Sequence, residues 1–218
     1  MLSRLPLIVT PGEPAGIGAE ITIKSWHAGQ RDICVIDSPN RLTEIAAKLG
    51  IPLSIRAIKH PDQFIATDES LHVIPINWPV PPVFGSPDHR NGQTVLESII
   101  TAAAFCRDGS ATGMVTNPIQ KATLYEAGFT YPGHTEFLAS LASVNPGGPM
   151  MMLASDDLRV VPLTIHIPVK DVADSISKQS IITAAQLLDG SLKQFFGVSI
   201  PRIAIAGLNP HAGENNSI

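Results

Sequence analysis

The sequence predicts an α/β fold built on a parallel β-sheet. Short apolar runs, rich in β-branched residues, alternate with longer segments of helical periodicity, and turn residues separate them. This alternation is typical of parallel sheets whose faces are covered by helices. A chain of 218 residues with 44% hydrophobic and 16% charged residues can bury a substantial core. Two modest α/β lobes would fit in that length.

Residues 1–116 are predicted to contain five strands and three helices. The helix over 39–49 has Pro39 in its first turn and Gly50 as its C-cap. The helix over 92–105 places Val95, Ile99 and Ala102 on one face. A Pro-rich loop over 77–91 is expected to cover part of the fold. The strands are predicted at 5–10, 33–37, 51–58, 71–76 and 112–116, and the remaining helix follows a Gly-rich turn and ends near His27.

The second half predicts fewer regular elements. A short helix is expected over 137–142, and Thr135 could cap it. Two strands, 149–154 and 158–165, flank Ser155-Asp156-Asp157, which is typical of a hairpin turn. Residues 171–196 are predicted to be mostly helical, with a break at Gly197. A buried strand of a parallel sheet follows at 202–208 and ends at Asn209-Pro210.

The turn after the first strand contains Gly12, Gly16 and Gly18. Its spacing matches neither G-x-G-x-x-G nor a P-loop. Two interpretations stay open: an anion site at a helix N-terminus, and a tight connection between strand and helix.

Two histidines follow predicted strands directly. His166 comes after residues 158–165, and His211 follows the strand that ends at Asn209-Pro210. Ligands of open α/β sheets lie beyond the carboxyl ends of the strands. Neutral imidazole is the commonest metal ligand, so the two histidines indicate a shared metal site. A catalytic zinc ion usually has three protein ligands, and only two are found in this way.

Lys121, His134 and Thr135 are candidate anion-binding residues. Lys121 falls in the first turn of a helix, where the helix dipole disfavours a cation. It is either a solvated lysine or a cation beside an anionic ligand. His134 and Thr135 open a helix and could hold phosphate there, or Thr135 could simply cap the helix.

The composition excludes several classes of function. A net charge of −4 and a pI near 5.9 give no support to nucleic-acid or anionic-membrane binding. Cys34 and Cys106 form no CxxC pattern and are expected to be inert buried thiols. The N-terminus lacks the apolar region of a signal peptide, so a soluble cytoplasmic protein is expected.

Four motifs together resemble a known family. They are GEPAGIG at 12–18, GHTEF at 133–137, VPLTIHIP at 161–168 and GLNPHAGE at 207–214. In this order they resemble the 4-hydroxythreonine-4-phosphate dehydrogenases of pyridoxal phosphate biosynthesis. The resemblance covers essentially the whole chain, and the last motif is highly specific.

The resemblance implies an architecture. The family's fold is similar to that of isocitrate and isopropylmalate dehydrogenases, with two α/β/α lobes and a cleft between them. It implies a homodimer with the active site at the interface. Residues 1–130 would be the first lobe, completed by a C-terminal segment, and 131–218 the start of the second, dimer-forming lobe.

The resemblance also implies an activity. It is the NAD-linked oxidation of 4-phosphooxy-threonine at a divalent metal, followed by loss of carbon dioxide. Zinc is the expected metal, with magnesium and cobalt as alternatives, and NADP is the alternative to NAD. His166 and His211 match two metal ligands, and the third comes from the partner subunit. His134 and Thr135 match substrate-binding residues; no catalytic or NAD-binding residue is assigned.

The chain departs from the family in two respects. Family members are longer, and their third metal histidine and most phosphate- and NAD-binding residues lie beyond Ile218. The chain is therefore expected to be incomplete, and inactive or poorly stable by itself. Glu13 stands where Asp is commoner, which adds one methylene and keeps the charge.

Three alternatives stay open. The enzyme could act on a related phosphorylated hydroxy acid, 4-phospho-threonate or 4-phospho-erythronate. It could be a metal-dependent hydrolase with Glu214 as base, although no H-E-x-x-H spacing is present. It could also be an inactive fragment with a partial metal site.

Overall fold

The structure is a computed structural model that describes residues 5–142 and 149–211. By its contacts the chain divides into two compact units, Met1–Ala142 (unit 1) and Ser143–Ile218 (unit 2). Each unit is described by itself below.

Unit 1 is built on a five-stranded parallel sheet in the order β3-β4-β2-β1-β5. The predicted parallel α/β sheet is therefore confirmed. The edge strand β3 covers only part of the predicted range 51–58, because Ile51 and Leu53 pack against the core outside the ladder. The strands are β1 (Leu7–Thr10), β2 (Ile33–Asp37), β3 (Ile55–Ala57), β4 (Leu71–Pro75) and β5 (Gly113–Thr116).

Helices cover both faces of this sheet. One face packs on α1 (Gly18–His27) and α2 (Pro39–Leu49), through residues such as Ile23 and Leu42. The other face packs on α3 (Gly92–Arg107), through Ala102. Side chains alternate between the faces along each strand, so Ile8 and Val9 enter different clusters. The result is a three-layer α/β/α arrangement.

The predicted caps of α2 are confirmed. The Ser38 hydroxyl accepts a hydrogen bond from the backbone N–H of Arg41 at 3.5 Å, and Pro39 occupies the first turn. Gly50 ends the helix in the left-handed conformation, with a φ of 68°. Glycine adopts this conformation without the steric cost that a Cβ imposes.

Two short helices close unit 1: α4 (Lys121–Glu126) and α5 (His134–Leu141). They pack against α3 through a cluster that contains Leu124, Phe129 and Phe137. The Phe129 and Phe137 rings meet edge to face at 5.3 Å between centroids. This packing extends the compact unit past residue 130, where the sequence analysis ended the first lobe. The assignment of the units to the two lobes of an enzyme stays a prediction.

Unit 2 begins with an antiparallel hairpin of β6 (Leu153–Ala154) and β7 (Arg159–Val160). The Ser155 N–H donates to the Leu158 carbonyl at 2.8 Å, so the predicted hairpin turn is confirmed. Both strands are shorter than the predicted ranges 149–154 and 158–165, because the ladder joins only two residue pairs.

The predicted helical region 171–196 contains α6 (Val172–Ser175) and α7 (Lys178–Phe196). Ser177 starts α7 with a capping box that it forms with Ser180, and Gly197 ends it with a φ of 67°. None of the described helices, α7 included, combines the length and the apolarity needed to cross a bilayer.

The predicted buried strand at 202–208 is wrong. These residues are in no strand, and they are exposed. A strand forms only where a neighbouring strand accepts its backbone hydrogen bonds, and no other part of 149–211 pairs with this segment. The apolar sequence run could predict extended backbone but could not show whether a neighbour exists.

Candidate functional site

The Gly-rich turn lies at the carboxyl end of β1 and packs against the chain that follows β5. Gly12 has a φ of 67°, and a Cβ there would lie 2.4 Å from the Pro118 carbonyl oxygen. A Cβ on Gly18 would lie 2.3 Å from the Pro11 carbonyl oxygen. Both glycines are therefore required by close backbone approach. These contacts support the interpretation as a tight connection, and the anion-site interpretation stays a hypothesis.

Glu13 ties this turn to α4. Its buried carboxylate accepts hydrogen bonds from the Ala15 backbone N–H at 2.9 Å and from the Thr123 hydroxyl at 3.1 Å. Both carboxylate oxygens thus have donors inside the protein. The extra methylene of Glu13 relative to aspartate belongs to a side chain that is already fully engaged in holding the turn.

A buried ion pair lies at the carboxyl end of β2, and the sequence analysis missed it. Arg41 Nη1 donates to Asp37 Oδ2 at 2.6 Å, and both side chains are at most 9% exposed. Arg41 Nη2 donates to the Pro14 carbonyl oxygen at 2.6 Å, which links the pair to the Gly-rich turn. Trp78 Nε1 donates to Asp37 Oδ1 at 3.1 Å. An aspartate that ends an apolar strand, four residues before an arginine in a helix, was the available sequence signal.

The Pro-rich loop covers the Gly-rich turn. The Gly85 N–H donates to the Ala15 carbonyl at 2.9 Å, and Trp78 contributes the bond to Asp37. The expectation that this loop covers part of the fold is therefore confirmed. Beside it lies a shallow depression of about 460 Å³, lined by residues 87–90 and α4. His89 Nδ1 lies 3.5 Å from Glu126 Oε2, and Arg90 pairs with Asp88 at 2.6 Å.

His134 and Thr135 are the first two residues of α5, in unit 1. Gly133 occupies the N-cap position, and no side chain caps this helix end. The expected Thr135 cap is therefore wrong, because Thr135 already lies inside the helix. His134 is half-buried, and burial lowers the pKa of its imidazole. Its buried Nε2 atom has no hydrogen-bond partner among the described residues.

Two charged residues accompany this helix end. Glu136 Oε2 is buried and, like His134 Nε2, has no partner in the described parts of the chain. Lys121 begins α4, as predicted, and its side chain is exposed. A Cβ on Gly133 would lie 3.6 Å from Glu136 Oε2 and 3.8 Å from Lys121 Nζ. One acceptor, one cation and one imidazole thus meet at the start of α5.

His166 and His211 lie in unit 2, and both are exposed. His166 was expected to follow a strand over 158–165 directly. This expectation is wrong, because β7 already ends at Val160. Its φ of 59° is unusual for a residue other than glycine. His211 follows an Asn209 turn in which the His211 N–H donates to Asn209 Oδ1 at 2.9 Å.

Across residues 5–142 and 149–211, no three His, Cys, Asp or Glu side chains come together in a metal-binding arrangement. The structure does not bring His166 and His211 into such a group. Glu214, the base of the hydrolase alternative, lies outside the described residues. Catalytic metal sites usually need a third protein ligand, so these two histidines could supply only part of one.

The cysteines take no part in these arrangements. Cys34 is fully buried on β2, and burial raises the pKa of its thiol to about 12. Cys106 is half-buried near the end of α3, and burial also raises the pKa of its thiol. A raised pKa suppresses the reactive thiolate. Both results agree with the expectation of inert thiols.

The fold defines the chain as an α/β protein with buried, hydrogen-bonded polar groups at the carboxyl edge of a parallel sheet. A family model described as "Pyridoxal phosphate biosynthetic protein PdxA" matches residues 30–218. The chain belongs to this family, so the resemblance found in its motifs is confirmed.

Curated relatives carry the corresponding name. A 4-hydroxythreonine-4-phosphate dehydrogenase of Zymomonas mobilis is 40% identical over 217 residues, covering 98% of this chain and 64% of the relative. One from Caulobacter vibrioides is 37% identical over 227 residues, covering 100% and 66%. The chain therefore spans about two thirds of the length of the curated relatives it matches.

A solved structure shares the fold. The crystal structure of 4-hydroxythreonine-4-phosphate dehydrogenase from Klebsiella pneumoniae matches with a TM-score of 0.88 and 33% sequence identity. The match covers 97% of this chain and 66% of that one. The predicted α/β fold class is therefore confirmed at the level of three-dimensional structure.

Proposed function

We propose that the protein carrying this chain is an NAD-dependent and divalent-metal-dependent dehydrogenase. It oxidises 4-phosphooxy-threonine, with decarboxylation, in the biosynthesis of pyridoxal 5'-phosphate (vitamin B6). The observation that carries the proposal is the group of relatives, 37–40% identical over 98% or more of this chain, that are named for this activity.

His134 and Thr135 are assigned to substrate binding. The first backbone N–H groups of a helix have no partners inside it, and together with the helix dipole they favour anionic oxygens. The lowered pKa of His134 keeps its imidazole neutral near pH 7, so it acts as a hydrogen-bond partner rather than as a cation. The Thr135 hydroxyl can donate to an adjacent oxygen of the same ligand.

His166 and His211 are assigned to the metal. Imidazole ligands suit zinc and other first-row divalent ions, so the two histidines are of the right type for the expected metal but too few to complete its site. When bound, such an ion would polarise the substrate alcohol and its ketone product. The unusual φ of His166 supports the assignment, because backbone outliers concentrate at functional positions.

The remaining assignments rest on the family alone. They are zinc rather than magnesium or cobalt, NAD rather than NADP, a homodimer with a shared active site, and a cytoplasmic location. The related phosphorylated hydroxy acids 4-phospho-threonate and 4-phospho-erythronate stay as alternative substrates.

The test is NAD reduction with 4-phosphooxy-threonine and zinc, measured by absorbance, for the protein that carries this chain and for its variants. His134→Ala should raise KM. His166→Ala and His211→Ala should each weaken zinc binding, measured by calorimetry, by about tenfold or more. His27→Ala, at the exposed end of α1, is the matched control and should change neither quantity.

Two results would redirect the proposal. Faster NAD reduction with 4-phospho-threonate or 4-phospho-erythronate would replace the substrate. Zinc binding that depends on both histidines, without NAD reduction on any of the three substrates, would identify an inactive fragment with a partial metal site. Unchanged zinc affinity in both histidine variants would refute the metal assignment.

A further inference from the structure

The space beside Gly133 is flanked by one positive and one negative group. A Cβ at this position would lie 3.8 Å from Lys121 Nζ and 3.6 Å from Glu136 Oε2. The Lys121 side chain makes no hydrogen bond or ion pair with any residue of 5–142 or 149–211. Glu136 Oε2 is buried and has no donor within the same ranges. The two charged groups therefore lie beside the same point, but no hydrogen bond or ion pair joins them.

Backbone geometry does not explain the glycine. Gly133 has a φ of −176°, which is extended backbone that any residue adopts. The lack of a side chain instead leaves open the volume between Lys121 and Glu136. Glycine also occurs where a ligand approaches the backbone closely. His134 and Thr135, assigned above to the substrate, are the next two residues.

A buried carboxylate oxygen without a donor is costly, and a ligand that supplies a donor removes that cost. Lys121 supplies donors but no acceptor. A group that carries a carboxylate and an ammonium a few bonds apart complements both residues at once. The α-amino acid end of a hydroxy-amino acid is such a group.

We propose that Lys121 and Glu136 recognise the α-amino acid end of the substrate. Lys121 Nζ donates to the substrate carboxylate, and Glu136 accepts from the substrate ammonium. The identity of the ligand rests on the proposed function. The pair then discriminates between its alternative substrates, because 4-phospho-threonate has a hydroxyl group where 4-phosphooxy-threonine has the ammonium.

The experiment compares binding of the two ligands to the protein that carries this chain by calorimetry. Glu136→Gln keeps the side-chain shape and removes the charge. It should weaken binding of 4-phosphooxy-threonine by about tenfold to a hundredfold, the value of a charge-assisted hydrogen bond, and leave 4-phospho-threonate unchanged. Lys121→Met should weaken the binding of both ligands, because both have the carboxylate. Lys121→Arg should restore part of the lost affinity.

The matched controls are Glu44→Gln and Lys59→Met, both exposed in unit 1. Lys59 follows β3, at the opposite edge of the sheet from β5. Neither control should alter binding. Gly133→Val adds a side chain in extended backbone and keeps both charged residues. It should weaken the binding of both ligands, because the side chain fills the space between Lys121 and Glu136. Circular dichroism of each variant verifies the fold.

Several outcomes would overturn the inference. Glu136→Gln could weaken the binding of both ligands equally, or of neither. Lys121→Met could weaken the binding of inorganic phosphate as much as that of the amino acid, which would make Lys121 a phosphate contact. Absence of binding of either ligand would also overturn it. The proposed function fails separately, if NAD is not reduced although 4-phosphooxy-threonine binds with the expected dependence on Glu136. NAD reduction with unchanged ligand affinity in both variants would leave the function standing and remove the inference.

Discussion

Replacement of Arg41 by methionine should destabilise unit 1 severely. Methionine keeps much of the side-chain length, but it removes the charge that faces Asp37 and the donor that reaches the Pro14 carbonyl. Asp37 would remain 1% exposed, and among the described residues its carboxylate would keep hydrogen bonds only from the Ser38 N–H and Trp78 Nε1. A carboxylate held in this way is desolvated without a compensating charge.

The size of the effect follows from this burial. Removal of one partner of a buried ion pair costs about 3–5 kcal/mol, because the other charge stays buried and unpaired. For a urea dependence of roughly 2 kcal/mol/M, the unfolding midpoint would fall by about 1.5–2.5 M. The cost of about 3–5 kcal/mol is a large fraction of the roughly 5–15 kcal/mol that stabilises a typical domain.

The defect should also depend on pH. Burial raises the pKa of Asp37, and the Arg41 charge opposes this rise. Without Arg41 the carboxyl group takes up a proton more readily in the folded state than in the unfolded state. Stability is then lost as pH rises through the raised pKa, so the variant should be less defective at pH 5 than at pH 7.

The assay is urea unfolding followed by tryptophan fluorescence. Both tryptophans, Trp26 and Trp78, belong to unit 1, so the signal reports on this unit. Arg90→Met is the matched control, because Arg90 pairs with Asp88 at 2.6 Å with 62% of its side chain exposed. The control should unfold nearly as the parent does. Equal midpoints for the Arg41 and Arg90 variants would refute the reasoning.

Two further predictions concern unit 1. Gly12→Ala should cost about 3 kcal/mol, from left-handed backbone strain and the 2.4 Å approach to Pro118, whereas Gly50→Ala, with a similar φ and open space, should cost only about 1 kcal/mol. Equal urea midpoints for the two would contradict this. His72→Leu should flatten the pH dependence of stability between pH 7 and 5. Burial lowers the pKa of His72 below 6.5, so the unfolded chain binds the proton first and stability falls with falling pH. Asp68, 3.6 Å away and paired with Arg56, has a pKa of about 2 and stays ionised in this range. Exposed His27→Gln should keep the parent's slope, and an unchanged slope in His72→Leu would exclude His72 as its source.

Local sequence patterns predicted the helices and the central strands of unit 1 well. The run at 33–37 is buried at every position, as expected for a strand covered on both faces. Ser38, Pro39 and Gly50 marked the ends of α2, because capping depends on residues within one turn. Such features need only neighbouring residues, and the sequence contains those.

Features that depend on distant residues were harder to predict. Whether residues 202–208 form a strand depends on a neighbour that no local pattern reveals. The cap of α5 is a local feature that was nevertheless misplaced, because Gly133 takes the position expected for Thr135. The opposing charges of Lys121 and Glu136 become neighbours only when α4 and α5 pack on α3, through Leu124 and Phe137. The sequence identified Lys121 as unusual but could not show what lies beside it.

The two groups of assigned residues have different physical support. His134 and Thr135 begin a helix that is anchored by Phe137 in an aromatic cluster, so their positions follow from packing. His166 and His211 are exposed, and packing does not explain where they are placed. A left-handed conformation at His166 opposes the intrinsic preference of a residue with a Cβ. Glycine would adopt this conformation at lower cost, so a histidine at this position is better explained by its imidazole than by its backbone. This argument supports the metal assignment independently of the family resemblance, and the zinc titration of His166→Ala tests it directly.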